Sequence, residues 1–299
     1  MTLTSVMKNK LAGQNRTFDA VTSISTVFVL LFALVCLLPF YYLITVSISD
    51  PKLVIPGEII LFPRGFSLDS YRVTLAQRQF FISFRVSVLR TIFGTVLSLV
   101  LTSSMAYTIS RPYLRGRRFF ILFVLFTMLF NGGIIPTYLV VRYTGLLNKL
   151  TALIIPNAIS TFNLIVMISF FKAIPAEIEE SAKLDGANDI LIFLRLIIPV
   201  SIPVFATITL FVAVQNWNSL MDGIIYVNRS DLKPLQVYLS DIVMRGQMED
   251  FFQDSADRAI PTITLQAATI FASTLPILIV YPFLQRFFVT GVMLGAVKG

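Results

Sequence analysis

Six apolar runs, each about the length of a membrane span, constrain this chain more than any other feature. They cover residues 24–48, 86–109, 119–141, 150–171, 196–214 and 260–283. The hydrocarbon core of a bilayer is about 30 Å thick, so a helix needs roughly 20 apolar residues to cross it. Every backbone polar group inside lipid must be satisfied within the spanning structure itself, which favours helices. Charged residues make up 13% of the chain, against about 25% in soluble domains. The expected fold is therefore all-α, a polytopic membrane protein of about six transmembrane helices.

The polar stretches between the runs suggest a topology. The densest basic cluster, RPYLRGRR at residues 111–118, lies in a short loop, and under the positive-inside rule that loop is cytoplasmic. With six spans both termini then share its side, together with Lys8, Lys10, Arg16 and Lys298. A net charge of +8 fits this loop distribution better than nucleic-acid binding. Arg85 and Arg90 at the outer end of the second run are an exception, with Arg90 expected to snorkel to the interface. Pro39 is expected to kink the first span. Asn131, Gly132, Gly133 and Pro136 interrupt the third run, and broken helices are tolerated where they are buried in protein or line a cavity. A short amphipathic helix is expected near residues 68–80. The single cysteine, Cys36, has no partner in the chain and receives no role.

Residues 174–203, IPAEIEESAKLDGANDILIFLRLIIPVSIP, form the one polar interruption with clear start and stop signals. Pro175 suits a first helical turn. Glu177, Glu179 and Glu180 put negative charge at the positive end of the helix dipole. Gly186 is a left-handed stop. Ile178, Ala182 and, on the flank, Ser181 share a face, where small side chains would let another protein approach closely. A plain interfacial turn between two spans is the alternative reading.

Glu180, Ser181, Ala182, Asp185, Gly186 and Ala187, followed by Leu196, Ile198 and Pro199, resemble the "EAA" loop of permease subunits of ATP-binding-cassette importers. Ser181 stands where the family has an alanine, Leu196 for an isoleucine and Ile198 for a leucine. The resemblance implies a type I importer permease fold in which this loop is a cytoplasmic coupling helix. Glu179, Glu180, Ser181, Ala182, Asp185, Gly186 and Ala187 would then dock in an ATPase subunit, with ATP and Mg held by that partner and no cofactor by this chain. Gly295, Val297, Lys298 and Gly299 are similar to the tail of the smaller maltose permease subunit, which enters the ATPase interface. Residues 128–141 resemble the branch handling oligosaccharides, alginate among them. The resemblance divides the chain into an N-terminal segment (1–79), a permease core (80–288) and a tail (289–299). It implies as partners a second permease subunit, two cytoplasmic ATPase subunits, an external solute-binding protein meeting residues 216–259, and an oligosaccharide, all in a bacterial cytoplasmic membrane.

Absences agree with this reading. No Asp or Glu lies inside the apolar runs, although intramembrane ionisable groups drive ion-coupled transporters. No G-x-x-x-x-G-K-[ST] loop is present to hold ATP phosphates, and the chain has no histidine. Energy must therefore enter from a partner, and no nucleophile–base or metal constellation points to an enzyme. Neutral polar residues in or beside the runs, Asn131, Asn157, Ser160, Asn163, Gln215 and Gln266, suit sugar hydroxyls; they equally suit helix–helix hydrogen bonding. The rivals are a permease for another small solute, such as an amino acid, and a self-contained channel or facilitator.

Overall fold

The structure, a computed structural model, describes residues 20–55, 58, 61–252 and 262–296. Lys8, Lys10, Arg16, Arg258, Val297, Lys298 and Gly299 lie outside the described residues. Among the described residues every regular element is helical. Contacts divide the chain into two units, Met1–Ser70 with Ala259–Ala268, and Tyr71–Arg258 with Thr269–Gly299.

The smaller unit is built on α1 (Ala20–Ser47), which runs unbroken through Pro39. Val27, Phe28, Leu31, Phe32, Leu34 and Leu38 are all exposed, so the helix is apolar all round, as a lipid-facing span requires. Only its last turns are packed, where Val46, Val54 and Ala267 form a small core with Tyr42, Leu43 and Ile263. Ser49 Oγ then donates to the Thr45 carbonyl at 2.6 Å and accepts the Arg64 N–H at 3.2 Å, folding the chain back after the helix.

The larger unit is organised around a single helix. The expected amphipathic helix is α2 (Asp69–Ala76), and α3 (Arg78–Ser110) follows after Gln77, whose backbone is extended. At 33 residues α3 is about 50 Å long, well beyond one hydrocarbon thickness, and it begins eight residues before the second apolar run. The polar residues Arg78, Gln79 and Arg85 hide that extension from a hydropathy reading. It is held by packing instead, because Phe80 is buried with Trp217, Leu235 and Tyr238. Ser87 Oγ also accepts the Leu235 N–H at 2.8 Å. Farther along α3, Ser87, Gly94, Ser98, Thr102 and Ala106 are buried along one stripe, and small residues there let neighbouring helices come close. A Cβ at Gly94 would lie 2.9 Å from Asn216 Nδ2.

The third run is broken as its composition suggests. The chain bends by 112° between helices α4 (Arg117–Leu129) and α5 (Ile134–Tyr143), with Gly133 at φ +85° in the corner. The fourth run differs from expectation. Residues 150–171 are not one helix but a 3₁₀ turn (Leu150–Leu153), an irregular strap, and α6 (Thr161–Lys172). Pro156 lacks the N–H that a helix would use, and Ser160 caps α6 by accepting the Asn163 N–H at 3.5 Å. The strap is tied down elsewhere: Ala152 and Leu153 are buried with Val86, Tyr226 and Val227.

After α6 come α7 (Ala176–Leu184), α8 (Asp189–Ile192), a π turn (Phe193–Ile197), α9 (Ile198–Val200) and α10 (Ile202–Asn218). The chain continues through α11 (Met221–Tyr226), α12 (Leu235–Phe252) and α13 (Thr262–Ala296). Among the described residues three helices are long and apolar enough to cross a bilayer, or up to six spans if each bent pair is one span. The main core of this unit lies around the Ser110 end of α3, joining Ala106, Tyr107 and Ile109 to α6 residues Leu164, Met167 and Phe171 and α10 residues Val204 and Ile208.

Candidate functional site

The loop singled out in the sequence folds as a two-faced helix. Helix α7 ends in a Schellman motif: the Gly186 N–H donates to the Lys183 carbonyl and the Ala187 N–H to the Ala182 carbonyl, both at 3.0 Å. Gly186 has φ +83°, the left-handed value that favours glycine. This motif accounts for the spacing of the sequence pattern. Ala182 and Ala187 are the two residues that a Schellman turn brings together, and both pack on the core. Asn188 then starts α8 by accepting the Leu191 N–H at 2.8 Å. The π turn before Pro199 lets the helix pass a residue that cannot donate, since the Ile198 N–H reaches back to the Phe193 carbonyl.

The inward face of α7 is fastened by charge. Glu179, 5% exposed, pairs with Arg111, 6% exposed, which stands immediately after α3. The Arg111 guanidinium lies over the Tyr107 ring at 4.5 Å, and that ring packs on Phe193 of the π turn at 5.0 Å. Burial pushes the Glu179 carboxyl above its ordinary range, with Arg111 and Lys183 opposing the shift. A second, exposed link runs alongside: Lys183 Nζ reaches Asp189 Oδ1 at 3.1 Å and sits over the Tyr113 ring. Such exposed pairs contribute little to stability.

The outward face carries Glu177, Glu180, Ser181, Leu184 and Asp185. Ala182 turns inward rather than sharing an open face with Ile178 and Ser181. Leu184 is 90% exposed, and sequence reading passed over it; an apolar residue two positions before a glycine stop is the signal that marks it. The basic cluster read as a topology signal thus contains a residue, Arg111, with a defined partner.

The other end of α3 holds a second buried ion pair. Arg90 does not snorkel: its side chain is 1% exposed and its Nη2 meets Asp222 Oδ2 at 2.5 Å. The same oxygen accepts Asn157 Nδ2 at 2.9 Å and Ser219 Oγ at 2.8 Å, while Arg90 Nη1 donates to the Ser219 carbonyl at 3.3 Å. One carboxylate oxygen therefore ties α3, the strap and the α10–α11 junction together. Twenty residues separate Arg90 from Ser110, or about 30 Å of helix, so the pair lies one hydrocarbon thickness from that end. Sequence reading missed it because Arg90 and Asp222 are 132 positions apart.

The neutral polar residues expected to line a path are dispersed. Asn131 is exposed at the α4–α5 corner, where its Oδ1 accepts the Gly133 N–H at 2.9 Å. Asn157 belongs to the Asp222 cluster, Ser160 caps α6, and Asn163 is 3% exposed on α6. Gln215 is exposed on α10, and Gln266 lies on the part of α13 that belongs to the smaller unit. Three of the six thus have clear structural duties.

No family model matches the chain, but individual relatives match over almost all of it. The polygalacturonan/rhamnogalacturonan transport system permease protein YtcP of Bacillus subtilis is 45% identical over 288 residues, covering 96% of this chain and 100% of that protein. The diacetylchitobiose uptake system permease protein DasC of Streptomyces coelicolor is 28% identical, covering 87% and 91%. Among solved structures, a bacterial ABC transporter involved in the import of the acidic polysaccharide alginate contains a chain that superposes with TM-score 0.82 at 33% identity. That match covers 92% of this chain and 98% of the other.

Proposed function

The chain belongs to the permease subunits of carbohydrate ABC transporters, and we propose that it is one of two such subunits in an importer for acidic oligosaccharides. ATP is hydrolysed by separate subunits, and α7 is the coupling helix through which they act. In this reading the Ser110 end of α3 faces the cytoplasm, as do both termini, in the cytoplasmic membrane of a bacterium. The Arg90–Asp222 cluster then lies at the outer boundary of the bilayer. The 45% identity to a permease named for polygalacturonan and rhamnogalacturonan carries the substrate class, since those polymers contain uronic acids.

The division of α7 into two faces supports the coupling role. Glu180, Ser181, Leu184, Asp185 and Gly186 present the contact surface to the ATPase, and Glu179, Ala182 and Ala187 hold the helix from behind. The tail residues Gly295, Val297, Lys298 and Gly299 add a second ATPase contact. The external binding protein delivers the sugar to the surface containing α11 and α12. Arg85 and Arg142, both exposed, attract an acidic chain there, and the neutral amides Asn157 and Gln215 serve its hydroxyls.

Purification of the tagged chain tests the assembly. A second permease subunit and an ATPase should copurify, and the cognate binding protein loaded with oligogalacturonate should stimulate ATP hydrolysis. Purification of the chain alone, with solute flux through it in vesicles without ATP, would replace this reading with that of a facilitator.

A further inference from the structure

We propose that Arg111 is a positioning residue for energy coupling: it fixes the coupling helix to the end of α3, so that displacement of α7 is delivered to the membrane rather than lost at the surface. The inference rests on the importer reading above. Its evidence is the pairing itself.

Helix α7 has nine residues, too few to be stable in isolation, so its orientation is set by what holds its inner face. Ala182 offers little apolar area for that purpose, and Lys183 with Asp189 is solvated. Besides the packing of Ala182 and Ala187 on the core, the buried charge pair is the other fastening, and it reaches a different span. Arg111 follows Ser110 directly, at the end of the helix that packs against both α6 and α10. The guanidinium lies on Tyr107, and Tyr107 on Phe193 and Phe171. One side chain thereby joins α3, α6, α7 and the π turn. A buried pair of this kind is costly relative to apolar packing, and simple adhesion of α7 to the core needs none. A directional fastening does need one, because the planar guanidinium fixes orientation as well as contact. The pair is also not saturated. Arg111 Nε and Nη2, Glu179 Oε1 and the Tyr107 hydroxyl are buried without hydrogen-bond partners among the described residues, so the two side chains meet as an ion pair with donors and an acceptor left for a second arrangement as α7 moves.

The test uses the assembled importer in proteoliposomes, comparing Arg111→Gln, Glu179→Gln and the charge swap Arg111→Glu/Glu179→Arg. Copurification of the ATPase and the melting temperature report assembly, and the readout is ATP hydrolysed per sugar imported. In each single variant that ratio should rise about tenfold or more. The swap should recover most of the loss. Wild-type stoichiometry in both single variants overturns the proposal. So does a swap that restores assembly but not the ratio, or single variants whose only defect is assembly. Should the wild-type complex lack an ATPase altogether, the importer reading fails first, and the two failures are distinguishable.

Discussion

Replacing Asp222 by Ala removes the acceptor that three donors share. Arg90 is 1% exposed and cannot turn to water without leaving its place between helices. The charge is therefore stranded, and breaking a buried pair from one side costs about 3–5 kcal/mol. Asn157 and Ser219 also lose their partner, but both reach the surface and recover part of that loss from water. The reverse change, Arg90→Met, is milder. It leaves Asp222, which is 17% exposed, with two donors and access to solvent, so a loss of about 1–3 kcal/mol is expected. The double variant Arg90→Met/Asp222→Ala should be more stable than Asp222→Ala alone, because the stranded charge is gone. Unfolding of the purified protein in mixed micelles by titration with sodium dodecyl sulfate measures these differences. At the midpoint of the wild type, a loss of 3 kcal/mol or more reduces the folded-to-unfolded ratio more than about 100-fold. An Asp222→Ala variant within about 1 kcal/mol of wild type would refute the reasoning, as would a double variant no better than that single one.

The other expectations concern the two ends of α3 and its contacts. Gly186→Leu should abolish sugar-stimulated ATP hydrolysis, because no neighbour obstructs the new side chain but φ +83° disfavours it by about 1–2 kcal/mol. Glu180→Lys should do the same by reversing charge on the exposed face, and normal stimulation in both would remove α7 from the coupling role. The Glu179 carboxyl is held above its ordinary value by burial, so the folded protein binds that proton more tightly than the unfolded chain. Stability from this group is thus fully present below the unfolded value and is lost as pH rises through the folded one. Glu179→Gln should flatten the pH dependence of unfolding over that window, and an unchanged profile would contradict the assignment. Gly223→Ala places a methyl group 2.5 Å from Val237 and against the Pro234 ring, an overpacking expected to cost about 1–3 kcal/mol in the same titration.

Much of this was legible in the sequence, and what was not has identifiable causes. The helix of residues 176–184 could be read because its signals are local: a proline at its start, a glutamate-rich first turn and a glycine stop. The break in the third run was marked by Asn131, Gly132 and Gly133. The strap over residues 154–160 was not, because its apolar content matches a span and only Pro156 and the Ser160 cap betray it. The extension of α3 back to Arg78 was hidden for the opposite reason, since its polar residues look like loop while Phe80 anchors them to α10 and α12. Both buried ion pairs depend on residues far apart in sequence, and an arginine beside an apolar run gives no sign of its partner. In sequence Arg90 resembles a snorkelling residue and Arg111 a topology signal, and burial separates them from the exposed Arg85 and Arg115.

The most direct test of the central claim is uptake of labelled sugar by proteoliposomes containing the copurified complex, with the cognate binding protein outside and ATP enclosed. The account predicts accumulation of an oligogalacturonate above its external concentration only when ATP is inside, with a neutral oligosaccharide of equal length taken up poorly. Equilibration of the sugar without ATP would contradict the importer itself, and preference for the neutral sugar would contradict the acidic substrate.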